Sequence, residues 1–431
     1  MAAGPAGAGN RALREAREAR EARAARAARA AEGGGEGPGA AARGRGPGGW
    51  RWGGAVGLAA LAAALAASSG GVGAGGRGAG GAASRVGGAG PRLVALGDLH
   101  GDLEQAEAAL RLAGVVDPSG AWAGRPGDLL VQTGDLVDRG PESLQVLRRF
   151  EGLAEEAGGA VELILGNHEL MNVQGDFRYV NRREVMALGR SMIAGAAPGE
   201  GSAALGASEA DLSEDPSQNM RELKAGTQEW ARQWEVDGRW GSALARRWKV
   251  AAVRGEGRCR LLFAHAGISP ATWAGTGVFG TPGGEGRMAA LNLEMSGVLR
   301  QGRAGAFARL SQAGGPLWFR DYAIPCPPGG GEACPESEQL CEGLADILKD
   351  VGAEAMVVGH TIQEDGSILK RCPGPTGQPR LFVIDVGMSR AYLGHLAALE
   401  CQGGVVAGLY PHGREILANF NFQHEAGGSE L

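Results

Sequence analysis

Five polar clusters along this chain carry the residue types of metal-ion chemistry, and each follows a short apolar run. Gly97-Asp98-Leu99-His100-Gly101 follows Leu93–Leu96, and Gly134-Asp135-Leu136-Val137-Asp138-Arg139-Gly140 follows Leu129–Thr133. Gly166-Asn167-His168-Glu169 follows Val161–Leu165, His265-Ala266-Gly267 follows Leu261–Ala264, and Gly359-His360 follows Met356–Val358. Singly, a Gly-Asp pair after a strand is a turn, a strand-end His is a satisfied polar residue, and an Asp-Arg pair is a salt bridge. Together, all at the ends of apolar runs, they form a pattern that chance does not explain. Carboxylate, imidazole and amide oxygen suit first-row ions such as Mn, Fe, Zn or Ni. An Asp-x-His unit with a further His holds one ion. A second Asp bridges to another ion held by Asn and His. Two ions sharing a carboxylate and a hydroxide form a clamp for in-line displacement at phosphorus.

Such side chains meet only if the fold brings the run ends together. The runs Leu93–Leu96, Leu129–Gln132, Val161–Leu165, Leu261–Ala264, Met356–Val358 and Leu381–Ile384 have the length of strands buried on both faces. Helical patterns lie between the first of them, Leu103–Leu112 and Pro141–Ala154, with Pro141 suited to a first helical turn. Strand–helix–strand alternation predicts an α/β layered domain around a mostly central mixed sheet, with ligands at the carboxyl ends of its strands. Glu184–Met192 and Met220–Trp248 read as helices, with Trp230, Trp234, Trp240 and Trp248 as packing residues and a loop over Ala194–Ser217. This predicts a helical insertion over residues 181–252 beside the site, a wall for specificity.

The bulk composition adds limits. Seventy-eight glycines and 5% aromatics among 431 residues point to low-complexity segments. A net charge of -5 gives no footprint for nucleic acid. The low complexity gathers in residues 1–90. Arg11–Ala31 repeats Arg, Glu and Ala, good helix formers without an apolar face. Gly33–Gly49 is a linker, and Ala55–Ala67 is an apolar run too short to span a bilayer. Ala64-Leu65-Ala66 resembles a small-residue cleavage site. This arm reads as an organellar targeting leader, chloroplast first, with mitochondrial (intermembrane space) and cytoplasmic placement as alternatives; Glu15, Glu18 and Glu21 depart from the import pattern. The catalytic domain is expected over residues 91–420. Six cysteines include no CxxC pair, which excludes zinc-ribbon spacing. Cys326, Cys334 and Cys341 cluster in a Pro/Gly-rich stretch. They read as buried or incidental thiols, against the sharper reading of a loop disulfide in an oxidising or redox-controlled compartment.

The strand-end clusters resemble the signature of calcineurin-like metallophosphoesterases, and more narrowly of the phosphoprotein phosphatases. Met171-Asn172, Gly175-Asp176-Phe177-Arg178-Tyr179-Val180 and Pro316-Leu317-Trp318-Phe319-Arg320-Asp321-Tyr322 are similar to the Shewanella-like branch of plants and algae. The resemblance covers Pro91 to about Glu400. It implies a β-sandwich flanked by helices, and two ions (Mn, Fe or Zn) held by Asp98, His100, Asp135, Asn167, His265 and His360. It also implies His168 as general acid, Asp138 as its orienting partner, and Arg139, Asn167 and Arg320 as phosphate-binding residues. The expected activity is hydrolysis of phosphotyrosine and/or phosphoserine/threonine in phosphoprotein substrates, by direct attack of a metal-bridging hydroxide. Two departures stand out. Ala266 replaces the first glycine of the His-Gly-Gly of common eukaryotic serine/threonine enzymes. Asp385-Val386-Gly387-Met388-Ser389 replaces their Ala-Pro-Asn-Tyr-Cys loop, so their regulatory subunits are not expected to bind. The rival expectations are a diadenosine tetraphosphate hydrolase of the same superfamily and a non-catalytic organellar scaffold.

Overall fold

The computed structural model describes residues 90–195, 213, 215–280, 282–324 and 335–421. The leader, most of the loop expected at Ala194–Ser217, and Cys326 and Cys334 lie outside the described residues.

The apolar runs form strands and are buried along nearly their whole length, with Leu129 alone half-buried. β1 (Arg92–Leu96), β2 (Leu129–Gln132) and β3 (Val161–Leu163) pair in parallel, with helices α1 (Leu103–Leu112) and α2 (Ser143–Glu156) as crossovers. α1 starts where the Asp102 carboxylate accepts the Gln105 N–H. α2 is entered two residues after Pro141. A meander of β9 (Ala398–Gln402), β10 (Val405–Tyr410) and β11 (Gly413–Asn419) adds to the other side of β1, antiparallel, giving the order β11-β10-β9-β1-β2-β3. Gly403 and Gly404 form the two-residue turn of the β9–β10 hairpin, both at positive φ (56° and 82°), as a type I′ turn requires.

The β-sandwich that the family resemblance implies is present as two mixed sheets, where strand–helix alternation alone points to one mostly central sheet. A second, five-stranded sheet runs β4-β5-β6-β8-β7, where β4 is Ala251–Arg254, β5 Leu261–Ala264, β6 Ala355–Val358, β7 Leu369–Pro373 and β8 Pro379–Val383. β5, β6 and β8 are parallel, and β4 and β7 flank them antiparallel. Residues of both sheets belong to one hydrophobic core. Strands covered by helices on one face and by a second sheet on the other have the same continuous apolar texture as strands of a helix-sheathed sheet. Apolar texture alone therefore does not separate one sheet from two, and the strand-end motifs do. The sheets are also cross-linked by the Cys259–Cys401 disulfide, and Cys341 pairs with Cys372. The reading as a thiol is therefore corrected for Cys341, which pairs outside the Cys326–Cys334–Cys341 cluster.

The insertion holds α4 (Arg182–Ile193), α5 (Pro216–Trp234) and α6 (Arg239–Arg247). The helix expected over Met220–Trp248 breaks at Glu235–Gly238, and the expected span overshoots by Ala251 and Ala252, which begin β4. At the break a Cβ on Gly238 would lie 2.3 Å from the Arg232 carbonyl oxygen, so the close reversal needs glycine. α4 and α5 also touch backbone to backbone: a Cβ on Gly189 would meet the Glu222 carbonyl at 1.8 Å. Trp230, Trp234 and Trp240 are fully buried, as packing residues should be. Helices α7 (Pro270–Ala274), α8 (Gly284–Arg300) and α9 (Pro335–Val351) complete the layer beside the second sheet.

Candidate active site

Parallel pairing places the carboxyl ends of β1, β2 and β3 together, and likewise those of β5, β6 and β8. The two sets meet. His265 Nδ1 lies 2.8 Å from the Thr133 carbonyl oxygen, and the His360 N–H donates to both Asp98 oxygens at 3.2 and 3.1 Å. All six expected metal ligands share this rim and are buried. His265 Nε2 lies 2.9 Å from Asn167 Oδ1, 3.2 Å from His360 Nδ1 and 3.4 Å from Asp135 Oδ2. On the other side His100 Nε2 lies 3.7 Å from the same Asp135 oxygen and 3.9 Å from Asp98 Oδ2. Asp135 Oδ2 is therefore common to two donor sets.

The rings are turned by their other nitrogens. His100 Nδ1 lies 3.1 Å from the Val137 carbonyl, as His265 Nδ1 faces Thr133. An N–H donated to each carbonyl leaves the Nε2 lone pair facing inward. Lone pairs of imidazole, amide and carboxylate then converge with no donor between them. That arrangement is repulsive alone and suits cations, and the buried His360 Nε2 has no hydrogen-bond partner. The donor set thus fits divalent metal ions.

Backbone strain is concentrated here. Among the described residues six non-glycine positions have positive φ, and five are His100, Asp135, Asp138, Arg139 and His360. Such conformations cost about 1 kcal/mol or more each and persist when the surroundings enforce them. Glu169 is one enforcer. It accepts N–H bonds from Leu136 (2.7 Å), Asp135 (3.0 Å) and Gly166 (2.9 Å), clamping the turns after β2 and β3. The His168 N–H at the start of helix α3 (Asn167–Val173) donates to Asp135 Oδ1 at 2.9 Å. Asp135 is so held from behind with its second oxygen facing the rim.

His168 and Asp138 form a buried pair, Nδ1 to Oδ2 2.7 Å. Asn172 Nδ2 donates to the other Asp138 oxygen at 3.0 Å, and Trp230 Nε1 donates to Asn172 Oδ1 at 2.7 Å. The helical insertion is thereby wired to the His168 ring. Arg139 projects beside this pair with its guanidinium 3.8 Å from the Tyr179 ring centre and 5.7 Å from that of Tyr392. Its Nε is buried without a partner. Arg320 is exposed next to the β6 turn, its Nη1 donating to the His360 carbonyl at 3.2 Å. It stands at the rim, less enclosed than Arg139.

The charges are mutually unhappy without cations. Burial, then Asp385 and Asp135, push Asp98 well above the usual carboxylate range. Burial takes Glu169 to about 7 and Asp385 to about 6. Burial and His168 take His100 down to about 3, and burial and His265 hold His360 well below its usual value. Burial would lower His168 too, but the Asp135 charge and the Asp138 hydrogen bond outweigh it and raise the ring. Burial likewise opposes Asp135, whose surrounding histidines nonetheless hold it well below the usual range.

Every site residue expected from sequence is on this rim. Sequence reasoning gave no role to Glu169, took Trp230 as packing alone, and passed over Tyr392 and Asp385. Asp385 carried the same signal as the rest, a polar residue directly after an apolar run.

The sequence model of the calcineurin-like phosphoesterase family matches residues 91–364. This chain belongs to the calcineurin-like phosphoesterase family. The phosphoesterase is 32% identical over 312 residues to an uncharacterized Schizosaccharomyces pombe protein, covering 71% of this chain and 76% of that one. It is 50% identical over 95 residues to Shewanella-like protein phosphatase 2 of Arabidopsis thaliana, a match covering 21% of this chain and 24% of the relative. Its fold is that of a cold-active protein-tyrosine phosphatase of a psychrophilic Shewanella species, with a TM-score of 0.53 at 22% identity over 76% of this chain and 80% of that one.

Proposed function

We propose that this phosphoesterase is a metal-dependent phosphoprotein phosphatase acting on phosphotyrosine and/or phosphoserine/threonine. The observation that carries the reading is the shared Asp135 oxygen between two buried donor sets, with the His168–Asp138 pair and the unpaired Arg139 side chain alongside. The names of the Arabidopsis and Shewanella relatives support it.

Asp98, His100, Asp135, Asn167, His265 and His360 would hold the two ions (Mn, Fe or Zn), which would supply Lewis acidity and an activated water. The protein's own residues do the rest. Arg139 binds two phosphate oxygens through its planar fork, stacked on Tyr179 so that little rotamer freedom remains to be lost. The Asn167 amide N–H donates to a third oxygen while its Oδ1 faces the donor set. Arg320 stands at the mouth as a second, weaker phosphate contact. His168 Nε2 gives its proton to the leaving oxygen, and Asp138 holds Nδ1 so that the proton sits on the correct side. Organellar placement, chloroplast first, belongs to the same proposal; the two disulfides agree with a compartment that oxidises thiols.

The test is side-by-side turnover of a phosphotyrosine peptide, a phosphoserine peptide and diadenosine tetraphosphate by Mn-loaded protein. The reading expects phosphopeptide hydrolysis, lowered by roughly 10²–10⁴ in His168→Asn with metal content unchanged. Preference for diadenosine tetraphosphate, or wild-type turnover in that variant, would contradict it.

A further inference from the structure

The ligands described so far come from the ends of β1, β2, β3, β5 and β6. β8 is parallel to β6 and ends at the same rim, where it delivers Asp385. This carboxylate is 1% exposed. Its Oδ1 accepts the Gly387 N–H at 2.9 Å, and its backbone carbonyl accepts the N–H of Gln363, just past His360, at 2.8 Å. Its Oδ2 has no hydrogen-bond partner. Of the other buried carboxylates around the rim, only Asp135 likewise keeps one oxygen out of hydrogen bonds to N–H donors, and that oxygen is the one shared by the two donor sets. Asp98 accepts the His360 N–H with both, Asp138 faces His168 and Asn172, and Glu169 accepts three backbone N–H groups. A buried carboxylate oxygen with nothing to accept from is a rare arrangement that asks for a missing partner. The end of β8 also lies against the Asp98 turn: a Cβ on Gly97 would sit 2.7 Å from the Ile384 carbonyl oxygen and 3.3 Å from Asp385 Cα.

We propose that Asp385 is a further residue of the metal centre, its free Oδ2 held for the cation of the Asp98–His100–Asp135 donor set or for a water bound to that cation. The assignment rests on the metal-dependent reading above. A purely structural Asp385 would need only the Gly387 bond, which asparagine also makes.

Wild type and Asp385→Asn are prepared metal-free, titrated calorimetrically with Mn²⁺, and assayed for manganese retained after gel filtration. Thermal unfolding is followed with and without Mn²⁺. Wild type is expected to keep both ions. Asp385→Asn should keep one, with the other site weakened roughly 10–100-fold. The metal-free variant should melt no lower than wild type, because a charge repelling Asp98 is gone, and its Mn²⁺-induced rise in melting temperature should shrink. Two ions at wild-type affinity in the variant overturn the assignment. So does a metal-free variant that melts lower, or cannot be purified folded, while any folded fraction keeps the full Mn²⁺ response. A wild type that binds both ions but spares phosphopeptides contradicts the proposed function and leaves this assignment standing.

Discussion

At the scale of single residues, Asp135 and His168 divide the work. Asp135 is fixed through Oδ1 and shared through Oδ2, so no other side chain can be removed with loss of both donor sets. His168 is raised by Asp135 and Asp138 despite its burial, so its acid form persists above the ordinary histidine value. A general acid works below its pKa, so kcat should fall as pH rises through that raised value. Replacing Asp138 with Asn removes the charge and one of its two acceptor oxygens, and the falling limb of the kcat–pH profile should move to lower pH; an unmoved limb would separate Asp138 from the acid. Arg139 is a fork stacked on a ring, a geometry that lysine cannot reproduce. Arg139→Lys should raise KM for phosphopeptide by roughly tenfold or more, the loss of a bidentate charged contact worth about 1.5–3 kcal/mol, with both metals still bound.

At the scale of elements, parallel pairing concentrates the chemistry, and two contacts from outside the sheets steady it. α5 reaches the acid through Trp230, Asn172 and Asp138. Trp230→Phe keeps the ring buried but strips Asn172 of its donor. About 1 kcal/mol of lost support corresponds to roughly fivefold in kcat, measurable on a variant whose metal content is unchanged. Arg390 ties the start of α1 to the segment after β8 through Asp102. Burial raises Asp102, yet hydrogen bonds from Arg390 leave it below its ordinary value. A depressed carboxylate stabilises the fold above its unfolded pKa and loses that contribution as pH falls through the folded one. Arg390→Met should therefore cost about 1 kcal/mol at neutral pH, discounted because Arg390 is half-exposed. The difference should fade below about pH 4 in urea titrations. Much of this scale was legible in the sequence. The run Leu261–Ala264 is β5 to the residue, and Leu103–Leu112 is α1. β7 and β11 leave no apolar run along their length in the sequence because they are edge strands in which exposed and half-buried positions outnumber buried ones. Gly403-Gly404 is the sequence mark of the β9–β10 hairpin. The polar wiring of Trp230 was hidden for a different reason: it depends on which residue a packed ring faces, and periodicity does not encode that.

At the scale of the whole molecule, two sheets are held together by core, disulfide and site. The Cys259–Cys401 pair closes 142 residues of chain, for which the chain-entropy estimate is about 5 kcal/mol. Reduction should lower the melting temperature by several degrees without removing metal, since neither cysteine touches the rim. This pairing could not be read from spacing, because partners are set by how β9 lies over the turn before β5. Metal removal should destabilise differently. Asp98 and Asp385 are then left as buried like charges, so chelation should lower the melting temperature and abolish turnover together, and Mn²⁺ should restore both.

The most direct measurement is an anomalous difference map from Mn²⁺-loaded crystals of the wild-type protein. The account predicts two peaks at the rim, both coordinated by Asp135, one flanked by Asp98 and His100 and the other by Asn167, His265 and His360. One peak, or two that share no Asp135 oxygen, would contradict it.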